Sequence, residues 1–269
     1  MLIPLYLKAQ EPVFDLTPEK LEKGKEYCDK LHWRTVMNEQ TFLYCQAVYH
    51  RKNNHRQALS VIEMAGRKFP YSYHVRLQKA LALQHIGSTD ESTRELTGLL
   101  QLYPNKFELH NYLARIQYDK DRIKSVMPFI VSVIVEPRNP VAKENLVFIK
   151  RLLNNKNLPF ELSEHADLAL INTGDNNFEL VSYELRSNSK GVNDRSERDY
   201  LIHRIGVLTS GLEKTSHLKR GFFWDFYGSY MAELNAHNLI DTAVDHILYQ
   251  NRSGNYTQFD AINSSFRLK

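Results

Sequence analysis

Residues 42–70, FLYCQAVYHRKNNHRQALSVIEMAGRKFP, decide the fold. Phe42, Cys45, Gln46 and Tyr49 recur at helical spacing, and Lys52-Asn53-Asn54-His55 makes a polar turn. Ala58, Ile62 and Ala65 then mark the inner stripe of a second helix, which Pro70 stops because proline has no N–H to donate. Two packed antiparallel helices account for the pattern. The alanines let the helices approach closely, and Tyr49 fills the space between them.

Working outward, Pro104 and Pro137 follow two further amphipathic runs, at separations of 34 and 33 residues. Counting back from each proline gives units at 39–72, 73–106 and 107–139. In the second, Ala80 and Leu83 hold the first-helix positions, Gly87 sits in the turn, and Leu96 and Leu99 precede the proline. The third carries Leu113, Ala114 and Gln117, then Ile123, Ile130 and Val133. These residues resemble the tetratricopeptide repeat family, whose unit is a 34-residue helix-turn-helix. The chain departs from that pattern at Gln46, Arg76, Lys79 and Ser92. The resemblance implies an all-α protein, a right-handed superhelix of five to six stacked antiparallel helix pairs.

Upstream, Thr17-Pro18-Glu19 reads as a helix start, with an N-cap, a proline at the first position and an early carboxylate, so 1–38 is expected to cap the 39–153 repeats. Residues 154–159, NNKNLP, form a boundary, and 160–269 is expected to be a helical region of degenerate repeats. Within it, 161–172 and 178–185 favour a helical hairpin and 187–197 a polar loop. Residues 201–212 and 222–234 read as amphipathic helices, Trp224, Tyr227, Gly228 and Met231 repeating the first-helix pattern. From Asn251 onward periodicity is lost and fraying is expected.

The family resemblance implies function on the inner face of the array. There the groove would be lined by Leu43, Tyr44, Ala47, His50, Leu77, Leu81, Gln84, Asn111, Tyr112, Arg115 and Tyr118. Aromatic, aliphatic and cationic groups in that mixture suit a peptide or protein partner, so the chain is expected to be a non-catalytic scaffold or adaptor. The alternative is a helical enzyme or enzyme subunit centred on Glu233, His237, Asp241 and Asp245, four residues apart throughout. On one continuous helix these would form a file able to hold a metal. A turn between Asn235 and Leu239 is the competing reading and is preferred, so no metal, cofactor or catalytic residue is assigned.

Composition narrows the classes further. Hydrophobic residues are 42% and charged residues 25%, a globular balance. No run is long and apolar enough for membrane insertion, and MLIPLYLKAQ at the start lacks the features of a signal peptide. Residues 1–159 carry 24 Lys+Arg against 16 Asp+Glu, a net +8, and 160–269 carry 11 against 15, a net −4. That asymmetry permits a homo-oligomer, while scattered basic residues without a motif argue against a nucleic-acid partner. Cys28 and Cys45 are read as buried thiols, which fits a cytoplasmic location.

Overall fold

The structure is a computed structural model, and it describes residues 14–154, 177–188, 196–215, 220–249 and 256–267. Every regular element among the described residues is helical. The chain divides into two compact units, residues 1–99 and 100–269.

The first unit holds α1 (Pro18–Asp29), α2 (Glu39–Arg51), α3 (His55–Lys68), α4 (Tyr73–His85) and the start of α5 (Thr89–Leu102). Side-chain caps set the starts. Thr17 Oγ1 accepts from Lys20 N at 3.4 Å, Asn38 Oδ1 from Gln40 N at 2.8 Å, Asn54 Oδ1 from Gln57 N and Ser72 Oγ from Val75 N, both at 3.2 Å. Each cap is worth about 1 kcal/mol.

The turns show the same repetition in the backbone. Asn53 and Gly87 have φ of 57° and 84° and lie 34 residues apart. Each is followed by an N–H that reaches back five residues, Asn54 N to Tyr49 O and Ser88 N to Leu83 O, both 2.9 Å. This closure requires a left-handed residue, which glycine and asparagine supply at least cost.

Phe42, Cys45, Tyr49, Ala58, Ile62 and Ala65 all lie in the buried core, as their spacing predicts. The cysteines correct the sequence reading. Cys28 and Cys45 are fully buried, but they are joined in a disulfide that ties α1 to α2. Two cysteines 17 residues apart give no sequence signal for pairing; the close seating of α1 on α2 brings them together. Gly24 marks that seating, since a Cβ there would collide with the Tyr44 hydroxyl. Lys68 fixes the connection between α1 and α2 by donating to Trp33 O, Arg34 O and Val36 O at 3.1, 2.9 and 2.6 Å.

The second unit contains α6 (Phe107–Gln117), α7 (Arg122–Val135), α8 (Ala142–Asn154), α9 (Glu179–Ser187) and α10 (Glu197–Thr215). A π-helical turn, Phe223–Gly228, then runs into α11 (Ser229–Ala236), followed by α12 (Ile240–Ile247) and α13 (Tyr256–Arg267). Helix α7 is the hub and touches α6, α8, α9, α12 and the π-turn. It stays helical through Pro128, and all of its residues but Lys124 and Val135 are buried; its serines are satisfied, Ser125 Oγ donating to Ala114 O at 2.9 Å and Ser132 Oγ to Phe129 O at 2.7 Å.

Two buried guanidiniums close the carbonyl ends of neighbouring helices. Arg204 Nε donates to Leu153 O at 2.9 Å, its Nη2 to Leu185 O at 2.7 Å and its Nη1 to Asn188 O at 2.9 Å. Arg122 Nε donates to Leu152 O at 2.6 Å and Nη2 to Leu153 O at 3.2 Å. These are the C-terminal ends of α8 and α9, where backbone carbonyls lack helical partners and the dipole favours a cation.

The segment after Asn251 departs from the expected fraying. Residues 256–267 form α13, anchored by buried Phe259 and Ile262 and by a hydrogen bond from the Tyr230 hydroxyl to Asn263 Oδ1. The proposed 161–172 helix and the centre of the 187–197 loop lie outside the described residues. No helix among the described residues is long and apolar enough to cross a membrane.

Candidate functional site

The residues expected to line one groove fall in both units. Leu43, Tyr44, Ala47, His50, Leu77, Leu81 and Gln84 belong to the first, and Asn111, Tyr112, Arg115 and Tyr118 to the second. Leu43, Ala47, Leu77, Leu81, Asn111 and Tyr112 are buried, so their side chains present almost no surface to a partner. Leu43 belongs to the first unit's core cluster. Tyr44, His50, Gln84, Arg115 and Tyr118 keep partial exposure. One helix face cannot be read as groove at every position, because the residues flanking a buried stripe are shared with the packing of the next helix.

Arg115 and Tyr118 build a coherent face together with α8. Arg115 Nε donates to Asn111 Oδ1 at 3.2 Å, its Nη2 lies 3.3 Å from Glu144 Oε1, and its guanidinium sits 5.1 Å from the centre of the Phe148 ring. Tyr118 meets the same ring edge-on at 5.1 Å, and its hydroxyl accepts from Arg151 Nη1 at 3.2 Å. Burial pushes the Arg115 pKa down to about 10, which leaves it cationic at neutral pH, and burial raises that of Glu144. Beside this network Arg151 is exposed, and Val147 is an apolar side chain 54% exposed.

The α8 contribution was missed in the sequence. Helix α8 begins 35 residues after α6 begins, so extending the repeat by one more unit finds Glu144, Val147, Phe148 and Arg151. The three-unit count stopped at residue 139, where no further proline continues the series.

The four-residue file of the enzyme alternative is not one helix. Asn238, with φ of 54°, breaks the chain between α11 and α12, and Leu239 N closes back on Leu234 O at 2.9 Å, the same closure seen after Asn53 and Gly87. His237 Nδ1 lies 3.0 Å from Glu233 O, while buried Asp245 is held by Arg198 Nε at 2.6 Å and Nη2 at 3.0 Å. That bidentate pairing commits Asp245 to structure. Among the described residues, no group of three His, Cys, Asp or Glu is arranged to hold a metal ion.

Two other polar sites are internally satisfied. A cleft of about 430 Å³ in the first unit is lined by Arg67, Arg76 and Lys79 together with Glu63 and Glu95. Glu95 takes a bond from Lys79 at 2.6 Å and lies 3.6 Å from Arg76, so it offsets part of the charge of these two cations from within. In the second unit, His110 is fully buried with Nδ1 2.8 Å from the Tyr227 hydroxyl and Nε2 2.8 Å from Pro104 O. Burial pushes its pKa down to about 4 and that of Tyr227 up, which fits a neutral hydrogen-bonded pair. No protein-family model matches the chain, and no curated protein matches it in sequence.

Proposed function

We propose that the chain is a non-catalytic helical-repeat scaffold, tetratricopeptide-like, whose hairpins stack with the right-handed superhelical sense of that family and whose α6/α8 face captures an extended peptide or protein segment. The observation that carries the reading is the Arg115, Tyr118, Phe148 and Arg151 network. It fixes aromatic and cationic groups from successive first helices on one half-exposed face. Rigid aromatics and arginines provide contact area and charge-assisted bonds at low ordering cost, the chemistry that dominates peptide capture. The equivalent turn closures at Asn53, Gly87 and Asn238 support repeated hairpins.

The disulfide favours a compartment where such bonds persist over the reducing cytoplasm, because the cytoplasmic expectation rested on free thiols. The enzyme alternative loses its candidate centre with the break at Asn238.

The test pairs Val147→Asp with Arg151→Glu, both at exposed positions that can change without disturbing the core. Peptides are first selected against the full-length protein from a displayed library, and their Kd is then measured for both proteins. The double variant should weaken binding about tenfold or more at unchanged helicity. Equal binding by the variant, or no peptide enriched by the wild type, overturns the assignment of this face.

A further inference from the structure

Helix α8 turns one file of side chains outward. Lys143, Val147 and Arg151 recur four residues apart and all three are exposed, Val147 at 54%. They share one inclined stripe, because residues four apart on a helix stand one above the other. Eight residues separate Lys143 from Arg151. The two cations are therefore about 12 Å apart along the helix axis, with the apolar side chain between them.

The fold uses neither charge. Among the described residues Lys143 and Arg151 form no ion pair. Arg151 donates to the Tyr118 hydroxyl at 3.2 Å, a neutral acceptor that holds the guanidinium beside the α6/α8 network. Lys143 stands in the first turn of α8, where the helix dipole favours a carboxylate over an ammonium, so helix stability does not account for it.

The carboxylates on α8 and on the elements that touch it are engaged elsewhere. Glu144 lies 3.3 Å from Arg115, and Glu197 takes Lys150 at 2.7 Å. Glu136 accepts from Asn139 at 3.2 Å, Asp199 from Ser196 at 2.7 Å, and Asp121 caps α7 and pairs with Lys124. On α6 and just beyond it, Glu108 and Asp119 lie outside ion-pair distance of both cations.

Taking the α6/α8 face as the capture site, on which this inference rests, we propose that the ligand is an extended segment with two acidic residues four positions apart and an apolar residue midway, read by Lys143, Val147 and Arg151. In an extended chain alternate side chains share a face, and the first and fifth residues are about 13 Å apart. That span matches the two cations, and the third residue then lies over Val147. Arg151 can take its carboxylate through two N–H groups, whereas Lys143 acts as a point charge. Each exposed pair contributes only about a 1.5- to fivefold factor in affinity, so the charges choose the segment more than they strengthen its binding.

The experiment selects one displayed library of random peptides against full-length wild type and against Lys143→Glu, a change that suits the first turn of α8 and leaves the fold in place. Wild type should enrich peptides with acidic first and fifth residues about an apolar third. Lys143→Glu should keep one acidic position and exchange the other for lysine or arginine. A synthetic wild-type-selected peptide with that one acidic residue changed to lysine should bind wild type at least about threefold more weakly than its parent, and Lys143→Glu at least about threefold more tightly. Arg151→Glu repeats the comparison for the other acidic residue; if it does not fold, Lys143→Glu decides alone. An unchanged preference in Lys143→Glu overturns the inference. So do enriched peptides without the paired acidic residues, or with them seven or eight apart as a helical ligand would carry them. If Val147→Asp with Arg151→Glu still weakens those peptides, the face stands and only the spacing falls. No enriched peptide overturns both.

Discussion

Replacing Arg204 by methionine removes the cation but keeps most of the side-chain volume. The guanidinium is 1% exposed and donates to Leu153 O, Leu185 O and Asn188 O. Leu153 O keeps its bond from Arg122, so Leu185 O and Asn188 O lose the donor that Arg204 supplies. A buried carbonyl that loses its donor costs about 1 to 3 kcal/mol. Only Leu185 O is buried; Asn188 is exposed and water can reach its carbonyl, so, less the desolvation regained by not burying a charge, the net loss in the second unit is about 2 kcal/mol. Lysine restores the charge but cannot span two helix ends with one ammonium, so Arg204→Lys should lose about half as much. Urea unfolding followed by tryptophan fluorescence resolves this cleanly, because the chain has two tryptophans, Trp33 in the first unit and Trp224 in the second. In a Trp33→Phe background the signal reports the second unit. A loss below about 1 kcal/mol for methionine, or a lysine variant as stable as wild type, refutes the capping role.

Two further predictions concern the first unit. Replacing Cys28 and Cys45 together by serine should destabilise it by about 3 kcal/mol, the loop-closure value for a 17-residue separation, seen as lost exchange protection in α1 and α2; thiol alkylation of protein taken from its native source checks that the bond forms there. Ala58→Leu puts three extra carbons into a position 1% exposed between α2 and α3, and should lower stability by about 1 to 3 kcal/mol in thermal melts.

The hairpins were legible because their signals are local and repeated. Stripe, turn and proline all fall within one helix pair, and the helices begin at Glu39, Tyr73 and Phe107, the first residues of the units counted from the prolines. The α1 start was readable from Thr17 and Pro18 for the same reason. What stayed hidden depends on contacts distant in sequence. Arg204 meets Leu153 across 51 residues. Of the α6/α8 cluster, Arg115 and Tyr118 were named from the sequence, whereas their partners on α8 needed the repeat extended past its last proline. Helix α13 was missed because its apolar contacts, Phe259 and Ile262, are too few to announce a period.

Helix α1 sits on α2 through Gly24, whose missing side chain leaves room for Tyr44, and Cys28 lies one turn further along the same helix. The ring of Phe14 also meets Tyr44 edge-on at 5.3 Å, and the Tyr49 hydroxyl donates to Asp29 Oδ1 at 2.8 Å. None of these contacts involves sulfur. After reduction they still hold the two thiols near each other, at a local concentration far above that of any free thiol in solution. The bond therefore acts as a latch on an interface that already exists, and an oxidant has only to close it, since packing has made the choice of partner beforehand.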